Sequence, residues 1–148
     1  MADAQAQAPA QKPERKFSAE TARAEIQKIL DWYLFDLSDI TDEKQKSAVS
    51  MSIDRLARAV RAGLLEVKTE AGLQVVQILK SGKDVITYEE IGGESKCSMD
   101  GIPAENHYQR MYTLLGSLSG MGFAAIKKLK GVDNSIAESL GTLFLLCV

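Results

Sequence analysis

The sequence predicts an α+β protein: a helical hairpin, a small antiparallel three-stranded meander and a C-terminal helical segment. Two observations carry that prediction. Apolar residues recur at helical spacing as far as Val60 and again from Tyr108, whereas from Leu64 to Ile91 they alternate with polar ones. Strands and helices do not alternate along the chain, so no parallel sheet is expected.

Residues 1–16 are rich in Ala, Gln, Pro and Lys and hold too little apolar surface to offset the cost of ordering, so they read as a disordered tail. Residues 17–148 then form a single α+β domain, with the hairpin over 17–62, the meander over 64–91 and the C-terminal helices over 103–148. Ser18 is placed as the N-cap of the first helix, and Ala22, Ile26, Ile29, Leu30, Tyr33, Leu34 and Leu37 form its stripe. Residues 38–41 break that helix. Asp42, with Gln45, starts the second, whose stripe is Val49, Ile53, Leu56, Ala57 and Val60 and whose end is marked by Gly63.

From Leu64 the period is two. Leu65, Val67 and Thr69 alternate with charge, Ala71-Gly72 turns, and residues 73–79 are rich in β-branched side chains. Residues 81–84 turn again and 85–91 alternate. Residues 92–101 read as a loop. Pro103 suits the first turn of a third long helix, with Tyr108, Met111, Tyr112, Leu115 and Leu118 as its buried stripe. Gly116, Gly120 and Gly122 then mark a helix break or a close helix approach.

The end of the chain is apolar. A short helix from Phe123 is stopped by Gly131, and the capping box Ser135/Glu138 starts a last helix that carries no charge after Glu138. Such a helix is normally buried, whereas a chain end is normally exposed. Either this end folds back into its own core or another protein covers it.

Composition narrows the function class. The 148 residues carry a net charge of −2, which gives no long-range attraction to nucleic acid or an anionic membrane. The lone thiols of Cys97 and Cys147 suit a reducing cytoplasm. The N-terminal segment has no apolar core of the kind a secretory signal needs, and the final apolar run is shorter than the roughly 20 residues of a membrane span. A cytosolic protein is expected.

Catalytic motifs are not visible. The single histidine, His107, has no nucleophile-elbow partner, and Cys97, His107 and Cys147 share no metal-ligand spacing. The glycines at 92–93 and 116–122 fit neither a P-loop nor a dinucleotide fingerprint. Arg55, Arg58 and Arg61 could meet phosphates, but Asp54 and Glu43 interleave and Asp31, Asp36 and Asp39 lie on the neighbouring element, so a solvated, internally paired face is expected. Residues 124–140 have the order of a helix-turn-helix, yet the second helix offers Leu, Gly, Thr and Phe where a reading helix needs polar side chains. No enzyme activity, cofactor, metal or nucleic-acid partner is expected.

Met99-Asp100-Gly101, the 108–118 helix, the small-residue break, Ile126-Lys127-Lys128-Leu129-Lys130 and the 140–146 ending together resemble the tail assembly chaperones of tailed bacteriophages. The layout of residues 53–67 and 85–91 is also similar to phage proteins of this kind, and the resemblance covers roughly residues 50–148. It implies a non-enzymatic protein of the infected cell's cytoplasm that binds the tape-measure protein, keeps its apolar helices soluble and hands it to the tail-tube subunits. It could itself form a homo-oligomer, and no membrane partner is implied. The expected partner-binding residues are Tyr112, Leu115, Leu143, Phe144 and Leu146, lining a groove for an amphipathic helix. The same residues could equally form the domain's own core. The alternative is a structural virion subunit, a tail terminator or head–tail connector, whose apolar end seals contacts in a ring. A small nucleic-acid-binding regulator is a third, more distant reading.

Overall fold

The computed structural model describes residues 18–148; the expected tail lies outside the described residues. The elements are α1 (Ala19–Trp32), α2 (Glu43–Arg61), β1 (Leu65–Lys68), β2 (Gln74–Ile78), β3 (Val85–Tyr88), α3 (Gly93–Cys97), α4 (His107–Ser119), α5 (Phe123–Lys127) and α6 (Gly131–Leu146), with one 3-10 turn at Leu37–Asp39. The α+β architecture is the one expected, hairpin and meander included.

The hairpin is capped as its sequence dictates. Ser18 Oγ accepts the Thr21 N–H at 3.1 Å, and an Asp42 carboxylate oxygen accepts the Gln45 N–H at 2.9 Å. α1 buries Ala22, Ile26, Ile29 and Leu30, and α2 answers with Val49, Ile53, Leu56 and Val60. The first helix ends at Trp32, earlier than the expected Leu37. Leu34 takes a left-handed conformation with φ 58°, and the Phe35 N–H returns to the Leu30 carbonyl at 2.9 Å, a helix-ending geometry that usually uses glycine. Contacts from beyond the hairpin hold this turn. Tyr33 Oη accepts the Ile91 N–H at 2.9 Å, and Trp32 Nε1–H donates to Glu90 at 3.0 Å.

The sheet is an antiparallel meander in the order β1-β2-β3, with Val67 opposite Val75 and Val75 opposite Tyr88. Leu65, Val67, Val75, Ile86 and Tyr88 point into the core, and Glu66, Lys68, Val85 and Glu89 face outward. One-sided burial explains the alternation in the sequence.

Three boundaries after the sheet differ from expectation. The expected loop at 92–101 contains the short helix α3, whose Ser95 hydroxyl donates to the Gly92 carbonyl and accepts the Gly92 N–H, both at 2.9 Å. α4 begins at His107 rather than at Pro103, because residues 103–106 close a turn in which the Asn106 N–H meets the Pro103 carbonyl at 3.0 Å. α6 begins at Gly131, so Ser135 and Glu138 are interior residues and do not cap it. Lys130 is extended there, and Asp133 supplies the acid favoured in a first turn.

The glycine run does both of the things its sequence allowed. Gly120 and Gly122 adopt φ of 72° and 89°, which stops α4. Gly116 is interior to α4, and a Cβ there would lie 2.5 Å from the Gly122 carbonyl carbon, so the returning chain packs directly on the helix backbone. Gly141 of α6 plays the same part against Met111 and Leu115.

α6 lies against both α2 and α4. A buried polar relay ties it to the sheet. Tyr88 Oη–H donates to Gln77 Oε1 at 2.9 Å, and Gln77 Nε2–H donates to the Asp133 carbonyl at 2.9 Å. Gln77 is completely buried, so this pairing removes a desolvation cost of about 1–3 kcal/mol.

Candidate partner-binding surface

The structure divides the five expected lining residues. Leu115, Leu143 and Phe144 are wholly buried, whereas Tyr112 and Leu146 are half-buried. Phe144 packs on Tyr88, with ring centroids 6.2 Å apart and planes at 53°. Leu115, Leu143 and Phe144 therefore belong to the core, and the expectation that they line an open groove is corrected. The physical reason is the close approach at Gly141, which lets α4 and α6 share one apolar seam.

Tyr108 moves the other way. It was expected in the buried stripe of α4 and is instead 60% exposed, and the buried stripe is Met111, Leu114, Leu115 and Leu118. Tyr108 belongs to a row of aromatic side chains. His107 meets it edge-on at 5.6 Å between ring centroids, and Tyr108 stacks with Tyr112 at 6.2 Å. Tyr112 in turn meets Phe123 of α5 at 6.4 Å. The Lys127 ammonium stands 5.3 Å from the Phe123 ring centroid, a cation–π contact.

The row is anchored at its centre. Tyr112 Oη–H donates to the Glu138 carboxylate at 2.5 Å, and Asn134 Nδ2–H donates to Tyr112 Oη at 3.2 Å. Burial raises the Tyr112 phenol pKa, and its bond to the carboxylate adds to that. Tyr112 thus presents a ring held in place from α6, with the more exposed Tyr108 beside it. A fixed aromatic surface of this kind binds apolar side chains with little entropy left to lose. The i, i+4 spacing of Tyr108 and Tyr112 was visible in the sequence, but Phe123 joins them only through the turn at residues 120–122.

The remaining candidates are accounted for separately. Arg23 and Asp54 form an ion pair across the hairpin, Lys46 lies 3.6 Å from Glu43, and Arg55 donates to Ser139 Oγ of α6 at 3.2 Å. Asp31 accepts from Gln27, and Asp36 caps the 3-10 turn, so neither pairs with the arginine stripe. Both cysteines are free, and burial pushes the Cys147 thiol up to about 11. Among the described residues no group of three or more His, Cys, Asp or Glu side chains is placed to hold a metal ion, and no helix is long and apolar enough to cross a membrane. No family model matches the chain, and no curated protein or solved structure matches it.

Proposed function

We propose that this protein is a non-enzymatic tail assembly chaperone of a tailed bacteriophage, acting in the host cytoplasm to hold an amphipathic helix of the tape-measure protein. The observation that supports this reading is the aromatic row of Tyr108, Tyr112 and Phe123, in which Glu138 and Asn134 hold the half-buried Tyr112 and Tyr108 beside it is exposed. Aliphatic side chains at i, i+3 and i+4 of a client helix would lie across these rings. Half-buried Leu146 is a further candidate for contact. The resemblance over residues 50–148 supplies the client, and the tail-tube subunits are its proposed destination.

The test is co-expression with the tape-measure protein of the same phage, followed by fractionation and pull-down at low and high salt. Binding is dominated by apolar burial, so the client stays soluble and the complex survives moderate salt. Tyr108→Ala weakens the complex by about tenfold or more while the melting temperature of the free protein stays unchanged. A client that remains insoluble with or without this chain overturns the reading. Recovery of the chain in finished particles replaces it with a structural virion subunit.

A further inference from the structure

Arg55 and Arg58 stand one turn apart on α2, where the sequence predicts an internally paired face. Among the described residues neither guanidinium forms an ion pair. The carboxylates of α2 and α6 are all engaged elsewhere. Glu43 faces Lys46 at 3.6 Å and Asp54 pairs with Arg23, while Asp133 accepts the Lys80 N–H at 2.9 Å and Glu138 accepts from Tyr112. Arg55 keeps one bond, to Ser139 Oγ, and Arg58 is exposed. The last turn of α2 favours a cation, which suits Arg58 but leaves its donors unused.

Both arginines line a groove of about 340 Å³ between α2 and α6. Its other walls are mostly aliphatic, with Ala62, Leu64 and the 44% exposed Val132 among them, and no carboxylate lines it. The two helices run antiparallel, because Arg55 meets Ser139 while later residues of α2 line the groove with earlier residues of α6. Each wall repeats at alternate steps of three and four, at 51, 55, 58 and 62 on α2 and at 132, 135, 139 and 142 on α6. A pair of helices with that repeat presents a trough that fits the side-chain ridge of a third helix.

We infer that this groove docks an amphipathic helix of a partner protein, one that carries glutamate or aspartate beside an aliphatic ridge. The ridge packs on Ala62, Leu64 and Val132, and acids one turn apart on the partner meet Arg58 and the remaining donors of Arg55. A helix is selected over an extended strand because both walls are helices, which offer no free backbone groups along their length. The aliphatic lining selects a peptide over a nucleic-acid backbone, whose phosphates would leave that surface uncovered. Two copies joined groove to groove would set arginine against arginine, since no carboxylate lines the groove. The chain's own residues 1–16 have the wrong sign, with Lys12, Arg15 and Lys16 against Asp3 and Glu14. The aromatic row lies on the α4 side of α6, where Glu138 holds Tyr112, so this docking surface is separate from the helix-holding one.

The probe is a fluorescein-labelled helical peptide of about eighteen residues, titrated into the full-length protein by fluorescence polarisation. It carries leucine at alternate steps of three and four, with glutamate on either side of that ridge. Two control peptides replace every glutamate by lysine or every leucine by glutamine. The glutamate peptide binds, and both controls bind about tenfold or more weakly. Arg58→Gln and Val132→Glu each weaken it by about fivefold with the melting temperature unchanged, since both positions are exposed and an acid suits the first turn of α6. Tyr108→Ala leaves its affinity unchanged. Binding that neither groove substitution alters overturns the site, and binding lost with Tyr108→Ala gives the peptide to the aromatic row instead. Equal binding of the lysine peptide overturns the charge assignment, and no binding by any of the three overturns helix docking. Tighter, Arg58-dependent binding of a single-stranded oligonucleotide gives the groove to nucleic acid. Self-association of the protein alone that Arg58→Gln abolishes gives it to a second copy.

Discussion

Phe144 and Tyr108 occupy opposite environments, and only Tyr108 leaves the place its helix pattern suggested. α6 carries no charge after Glu138, and its Phe144 is wholly enclosed. α4 has a regular apolar stripe, yet Tyr108, which extends that stripe by one turn, stands 60% exposed. The difference lies in what each helix is packed against. α6 is gripped by α2 on one side and α4 on the other, and Gly141 removes the side chain that would hold α4 away. In the first turn of α4 His107, Tyr108 and Gln109 are all exposed, so a residue on the correct face of the helix still meets solvent. An apolar face buries only as far as a partner reaches.

The largest expected effect falls on the enclosed side of this comparison. Phe144→Ala empties a site against Tyr88 and should cost about 3–5 kcal/mol, read from urea unfolding. Tyr108→Ala should change stability by less than about 0.5 kcal/mol in the same measurement. Equal losses at the two positions would end the distinction between a core aromatic and a surface aromatic.

Next in size are the close approaches that create the enclosure. Gly116→Ala drives a Cβ into the backbone at Gly122 and Phe123, which cannot step aside as a flexible side chain can, so a loss of about 1–3 kcal/mol is expected. Gly120→Ala would test a different cost, that of a left-handed φ with open space around it. Of similar size is the relay beneath α6. Tyr88→Phe leaves the buried Gln77 oxygen without its donor and should cost about 1–3 kcal/mol, whereas Gln77→Leu in the Tyr88→Phe background should recover part of that loss.

The two cysteines sharpen the comparison chemically. The Cys147 thiol is raised from 9.0 to about 11 by burial, so its thiolate fraction at pH 8 falls by about a hundredfold. Iodoacetamide should therefore modify exposed Cys97 well before Cys147, as followed by mass spectrometry. The sign for stability follows from the same shift. The folded state favours the protonated thiol, so its contribution is complete below pH 9 and is lost as pH rises through about 11. Cys147→Ala should flatten that part of the alkaline stability profile.

The smallest expected effect is at the hairpin surface. The Arg23–Asp54 pair has both side chains well exposed, so a double-mutant cycle should return a coupling below about 1 kcal/mol that shrinks with added salt.

The period of the apolar pattern made the elements legible, and the caps made two helix starts legible, at Ser18 and Asp42. The boundaries that escaped depend on distant groups. α1 stops early because Tyr33 and Trp32 are engaged by Ile91 and Glu90, some sixty residues further on. Ser135 and Glu138 satisfy a capping pattern, but the chain straightens at Lys130 instead, and Glu138 serves Tyr112. Of the candidate surface, Tyr112 was legible from residue type and spacing. Tyr108 was named but assigned to the core, and Phe123 could join the row only once the glycine turn was known. Leu115, Leu143 and Phe144 had both a core and an interface reading in the sequence alone, because apolarity records burial without recording what does the burying.

The relay from Tyr88 through Gln77 to the Asp133 carbonyl also sets an order of events during folding. Gln77 and Asp133 are 56 residues apart, and Phe144, which covers the Tyr88 ring, lies later still. The α1–α2 pair is joined largely by contacts between neighbouring elements, although Ile91 and Glu90 hold the turn after α1. The meander cannot be completed so early, because the Tyr88 ring is covered only when Phe144 of α6 is in place. Such distant closure makes the sheet the slow part of the molecule to form and leaves its apolar face available to other chains in the interval. A protein proposed to shield another's apolar helices is thus briefly in need of shielding itself, and the interval ends when its last helix docks.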